Sequence, residues 1–125
     1  MKGNSTVLKE HLWKHRVIIV FTDQDLSKKW KNAKEELNER HLIYYQIDKN
    51  NTLITNHKKV INHEFIKSIR STYAKETQQT TQVILIGKDG KVKKRSSKLE
   101  LKALYSLIDT MPMRKQEIRE KSNNK

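Results

Sequence analysis

Three aspartates are the residues of this chain best suited to chemistry. Asp23 and Asp25 follow an apolar run at 17–21, in the order Thr22-Asp23-Gln24-Asp25. An Asp-x-Asp at the end of a buried strand can supply a nucleophile and a general acid to magnesium-dependent phosphoryl transfer. Asp48 closes a second apolar run and could reach the same crevice, because parallel strands gather their carboxyl ends together. Asp89 does not join them if it occupies a hairpin turn. The competing reading is that Asp23 and Asp25 cap the following helix and complement its dipole. Short motifs generate false matches, and no later pair of aspartates follows a parallel strand. Capping is therefore preferred, with the phosphotransferase kept as the alternative.

The histidines offer a second possibility. His11 and His15 are four apart, so on a helix they would share a face and could hold a metal. No third ligand stands beside them, and Lys14 and Arg16 oppose a cation. His57 and His63 fall at a loop and a helix start, without ligand spacing. Surface or capping histidines are the reading adopted, with no metal and no cofactor assigned. Cysteine is absent, which removes disulfides, thiol catalysis and cysteine-ligated metals from consideration.

The net charge is +13, from 27 Lys+Arg against 14 Asp+Glu. Residues 88–125 hold 12 of those cations and 5 of those acids, so +7 lies in this last stretch. Such a field favours polyanions or an acidic protein surface. The same lysines also serve as a solvated surface, and both readings stand. Lys91, Lys93, Arg95, Lys98 and Lys102 form the candidate anion-binding set. Nucleic-acid readout would need displayed aromatics, and Trp30, Phe65, Tyr73 and Phe21 fall on apolar stripes instead. Base-specific recognition is not expected. No apolar run approaches the length of a membrane span, and residues 1–6 lack the apolar stretch of a signal peptide.

These residues must be positioned by alternating elements. A short leading helix is expected around Leu8 and Leu12. Residues 16–22 and 42–48 read as buried strands. Leu26, Trp30, Ala33 and Leu37 recur at helical spacing between them, with Thr22-x-x-Asp25 as a possible cap. Residues 49–59 are polar and read as a loop. Asn62 starts a helix with a stripe of Phe65, Ile66, Ile69 and Tyr73. Residues 74–81 form a Gln/Thr-rich connection. Val83, Ile84, Leu85 and Ile86 are a fourfold apolar run, and Gly87-Lys88-Asp89-Gly90 is a turn returning to a cationic edge strand. Ser97-x-x-Glu100 fits a capping box before a helix with Leu101, Leu104, Ile108 and Met111 on one side. Pro112 ends or bends that helix. Asp109, Pro112, Arg114 and Glu117 then form a corner, with the Arg114 fork suited to bidentate carboxylate pairing.

The order α-β-α-β-α-β-β-α predicts one domain over residues 1–121, with a frayed tail at 122–125. The first two strands should be parallel, with a right-handed crossover, and the last two an antiparallel C-terminal hairpin. This is an α/β, thioredoxin-like arrangement: a four-stranded mixed sheet with helices on both faces. The segments LIGKDG at 85–90 and IDTMPMR at 108–114, with WKHRVIIVF and ERHLIYYQID, carry a more specific likeness. They resemble an uncharacterised thioredoxin-like family over residues 8–120. That family recurs in a vertebrate extracellular-matrix protein with coiled-coil segments, in sushi-repeat-containing secreted proteins and as single-domain bacterial proteins. The resemblance implies a peroxiredoxin- or thioredoxin-like fold, frequent export and, in animals, matrix or adhesion roles. It brings no catalytic set. Redox members need a thiolate at the turn occupied here by residues 22–26, and a proline before the third strand, where Thr80 and Thr81 stand. The function expected is thus a non-redox binding module with an anionic or protein partner.

Overall fold

A computed structural model describes residues 8–58, 61–75 and 80–123. The leading residues 1–6, residues 76–79 of the expected connection, and Asn124 and Lys125 of the expected tail lie outside them. Among the described residues the sheet has five strands: β1 Arg16–Phe21, β2 Leu42–Ile47, β3 Leu53–Thr55, β4 Gln82–Ile86 and β5 Val92–Ser96, in the order β3-β2-β1-β4-β5. β1 runs parallel to β2 and antiparallel to β4, and β4 and β5 form the C-terminal hairpin. The expectation of four strands is corrected by β3, which pairs antiparallel with β2 inside the expected loop. Three residues between Thr52 and Asn56 are too short for alternation to show.

β1 is the centre of the molecule, and all six of its residues are buried. Its side chains alternate between two cores. Ile18 and Val20 pack with Leu26, Trp30, Ala33 and Leu37 on one face, joined there by Leu104 and Ile108. Val17, Ile19 and Phe21 pack with Ile66, Ile69 and Tyr73 on the other. The first face is covered by α1 Ser27–Asn32, α2 Lys34–Glu39 and α4 Leu101–Asp109; the second by α3 His63–Tyr73. Helices thus cover both faces. Between them lies a sheet that needs a strand buried on both sides.

Several boundaries differ from the sequence reading for local reasons. The leading helix is a single 3-10 turn, Lys9–His11. The first long helix is broken at Ala33 into α1 and α2, although its apolar stripe stays continuous. Asn62 caps α3, accepting a hydrogen bond from the Phe65 amide at 2.8 Å. The Ser97 capping box does not form: α4 starts at Leu101 with no side-chain cap. Asp25 accepts from the Ser27 amide and hydroxyl just before α1, but the N-cap position itself is Leu26. Pro112 opens a new helix, α5 Pro112–Asn123, at the position where its missing N–H costs nothing. α5 continues through Asn123, two residues into the expected tail.

Candidate functional site

The start of β1, the start of β2 and the β4–β5 turn meet at one end of the sheet. The turn is closed by the Gly90 amide donating to the Gly87 carbonyl at 3.0 Å. Gly90 takes φ +82° and Asp89 keeps a negative φ, so the Asp-Gly pair works through its glycine alone. Lys88, between them, is buried.

Arg16 is only 1 % exposed at the head of β1, which its charge allows only with full pairing. Both of its terminal nitrogens donate to the Glu117 carboxylate at 3.2 Å, and one also reaches the Arg40 carbonyl at 2.8 Å. Lys88 Nζ donates to the same carboxylate at 2.6 Å and lies 2.7 Å from His41 Nδ1. Arg114 is buried and bonds Asp109 at 3.0 Å and Glu39 at 2.6 Å. Arg40 takes the other side of Asp109 at 2.9 Å and Glu36 at 2.7 Å. Asp109, Arg114 and Glu117 of the expected corner therefore belong to a wider network that pins α5 to β1, α2 and the hairpin, and Pro112 starts the helix that carries two of them.

Electrostatics support that reading. Burial works to raise the Glu117 carboxyl, but hydrogen bonds from Arg16 and Lys88 outweigh it and hold it below its usual range. Asp109 shows the same balance, with Arg40 and Arg114 prevailing over burial. Burial, then Lys88, pushes His41 down. Four buried cations (Arg16, Arg40, Lys88, Arg114) face four carboxylates (Glu36, Glu39, Asp109, Glu117), with the exposed Lys121 also 3.7 Å from Glu39, so each buried cation is spent on an acid within the network. Its task is to hold the corner.

Beside it lies a cavity of about 290 Å³, lined by Trp13, Arg16, Lys88, Met111, Pro112 and Met113 among others. Trp13 stands 64 % exposed on its rim with φ +64°, and its amide donates to the Lys88 carbonyl at 2.7 Å. His41 has φ +54° at the same end. Bulky residues rarely adopt this conformation, and strain of this kind collects at functional positions. The two segments of the family likeness, 85–90 and 108–114, thus converge on one cavity. Arg16, His41, Lys88 and Trp13 were not singled out from the sequence. The available signal was an arginine heading an apolar strand.

Next to this end, the histidines come together. His11 Nδ1 is 3.0 Å from His15 Nδ1, and His11 Nε2 is 2.7 Å from the Tyr45 hydroxyl. His57 joins from the segment after β3, with its ring 4.8 Å from that of His11 and its Nε2 2.9 Å from Glu10. The third partner missing from the sequence spacing is supplied by the fold. His63 is exposed at the start of α3. Burial pushes the Tyr45 phenol up and keeps it neutral. Burial, then His57, pushes His15 down.

The opposite end holds the aspartates. Asp23 accepts from the Lys49 amide at 2.9 Å, so the ends of β1 and β2 do meet there. Asp48 accepts from the Asn50 and Thr52 amides within its own turn. Asp25 is occupied by Ser27. Among the described residues, the group of three acidic or histidine side chains close enough to share an ion is Glu10, His11 and His57, not these aspartates. The Thr22 and Thr81 hydroxyls meet at 2.8 Å where the chain enters β4.

The cationic edge is as exposed as expected. Lys91, Lys93, Lys94, Arg95, Lys98 and Lys102 all face solvent. Lys93 pairs with Asp89 at 2.9 Å and Arg95 donates to the Tyr73 carbonyl at 2.9 Å. Lys91 acts on Asp89 by its charge, whereas Lys94, Lys98 and Lys102 have no acidic partner among the described residues. A second groove, of about 530 Å³, lies by the other sheet edge, where Trp30 stacks on Tyr44 at 3.9 Å near Lys31, Lys34 and Lys58.

The family described as "Domain of unknown function (DUF4174)" matches residues 7–117. The chain belongs to it. No curated protein and no solved structure matches the chain. The DUF4174 match takes in both ends of the sheet, the β5 edge and α5 as far as Glu117, the residue on which Arg16 and Lys88 converge.

Proposed function

We propose that this domain is a non-redox, thioredoxin-like binding module whose β5 edge recognises an acidic polymer or an acidic protein surface. The thioredoxin-like reading is supported by the four strands β2-β1-β4-β5, with one parallel and two antiparallel pairings, α1, α2 and α4 on one face and α3 on the other. By the family likeness, the turn at residues 22–26 and the segment from Thr80 to Val83 correspond to the places where redox members carry a thiolate and a proline, and the chain has no cysteine. The observation that carries the binding role is the contrast between neutralised and spare cations. The buried cations each face a carboxylate, whereas Lys94 on β5, Lys98 in the segment after it and Lys102 on α4 are exposed without acidic partners among the described residues. Cations on an edge strand discourage pairing with another strand and leave polyanion contact as their use. Export, which the family likeness implies, would place such a surface among sulfated glycans. No helix among the described residues is long and apolar enough to cross a membrane.

The test is retention on immobilised heparin at increasing salt. Retention should fall steeply with salt, and Lys91→Glu/Lys98→Glu/Lys102→Glu should elute far earlier. A matched Lys31→Glu/Lys34→Glu/Lys58→Glu variant should elute near the wild type. If the second variant loses retention and the first keeps it, the β5 assignment is wrong and the Trp30–Tyr44 groove takes its place. If the parent chain does not bind at low salt, the polymer reading fails.

A further inference from the structure

The geometry points to a divalent transition-metal site, of the kind that takes Zn²⁺, formed by Glu10, His11, His15 and His57. It is independent of the β5 edge. One donor atom from each of Glu10, His11 and His57 lies within 4.8 Å of the others. His15 Nδ1 is 3.0 Å from His11 Nδ1. The four side chains thus form two donor pairs, Glu10 with His57 at 2.9 Å and His11 with His15 at 3.0 Å, each joined by a shared proton. Zinc–nitrogen bonds of about 2.0–2.1 Å place tetrahedral donors about 3.3 Å apart. As a cation displaces the protons, each pair opens by a few tenths of an ångström and the two pairs close on one another from separations of up to 4.8 Å among Glu10, His11 and His57, while His15, outside that group of three, turns in with its partner His11.

The surroundings match what such sites require. His11 is only 2 % exposed, and its Nε2 is engaged by the buried Tyr45 hydroxyl. A partner on the far nitrogen fixes the ring and directs Nδ1 to the ion, as outer-shell groups do around bound metals. His57 and Glu10 are 16 % and 33 % exposed at the side chain, which leaves an entry path. Three imidazoles and one carboxylate suit a borderline cation, whereas magnesium and calcium want oxygen. With four protein donors the site is closed, so its work is to fasten. The ion would fasten the segment at 9–15 to the segment following β3, joining Glu10 and His57 across 47 positions of sequence.

The experiment titrates the chelator-treated full chain with Zn²⁺ by calorimetry and follows thermal unfolding. One ion per chain should bind, and Tm should rise with Zn²⁺ concentration. His57→Gln and Glu10→Gln should each weaken binding at least about tenfold, while His63→Gln leaves it unchanged. Tyr45→Phe should weaken it about tenfold through ring orientation. Because a buried His11 variant can fail to fold, the decision rests on the partly exposed His57 and Glu10. Co²⁺ should give the intense visible absorption of four-coordinate geometry, lost in His15→Gln. Absence of saturable one-to-one binding, or affinity unchanged in both His57→Gln and Glu10→Gln, overturns the site.

Discussion

The two ends of the sheet are built on different principles. At the Asp23 end, polar side chains satisfy nearby backbone: Asp48 its own turn, Asp25 the residue two on, Asp23 the neighbouring strand end. At the Lys88 end, charged side chains are buried and answer partners far away in sequence, as Arg16 does with Glu117 across 101 positions. The first kind of end is cheap to alter and leaves little for chemistry. The second commits the fold, because each buried charge depends on the others. In a scaffold of this order, catalysis is expected where strands gather their carboxyl ends. Here the specialised construction lies at the other end.

The Lys88 end depends most on Glu117. Glu117→Ala strips the shared acceptor from Arg16 and Lys88 and should cost about 3 kcal/mol, the scale for orphaning a buried charge. Urea unfolding measures it, and a loss near zero would show that the network is ornamental. Acid is the next lever. His15 and His41 sit below their ordinary value of 6.5 in the folded chain, so the unfolded chain binds more protons. Stability they support is present above 6.5 and is lost as pH falls through their folded values. Glu117, Asp109 and Glu39 are also held down, so a second loss begins near their ordinary values of 4.5 and 3.8 and deepens as pH drops. Urea midpoints from pH 8 to pH 3 should show both limbs. His15→Gln/His41→Gln should flatten the first and Glu117→Gln should shrink the second.

At the opposite end the effects shrink. Thr22→Val leaves the buried Thr81 hydroxyl without its partner and should cost about 1–2 kcal/mol. Pairing it with Thr81→Val should return part of that loss, a coupling read from the double-mutant cycle. Asp23→Asn keeps an acceptor for the Lys49 amide and should change stability by less than about 0.5 kcal/mol. A large effect there would show that this end, too, is committed to the fold.

What the sequence disclosed follows the range of the interactions. The runs at 17–21 and 83–86, the stripe Leu26–Trp30–Ala33–Leu37 and the Asn62 cap are local signals, and all appear in the fold. β3 was missed because three residues carry no period. The Ser97 box misled because its serine lies four positions before the helix begins, out of reach of its first turn. The Lys88 end was legible only in part. The Pro112 corner and Arg114 stood out through residue type. The buried roles of Arg16 and Lys88, and the approach of His57 to His11, depend on which strands become neighbours, and no spacing encodes that.

Trp13 has an optical consequence. The chain has two tryptophans, and they sit at the extremes: Trp30 is 4 % exposed, stacked on Tyr44, whereas Trp13 is 64 % exposed beside Lys88 and Lys93. Their emission should separate into a shielded component and one open to collisional quenchers. Iodide, drawn to the lysines, should dim the second more than caesium does. Trp13→Phe would then leave a chain whose fluorescence reports the core alone, and the difference between the two proteins would report the cavity.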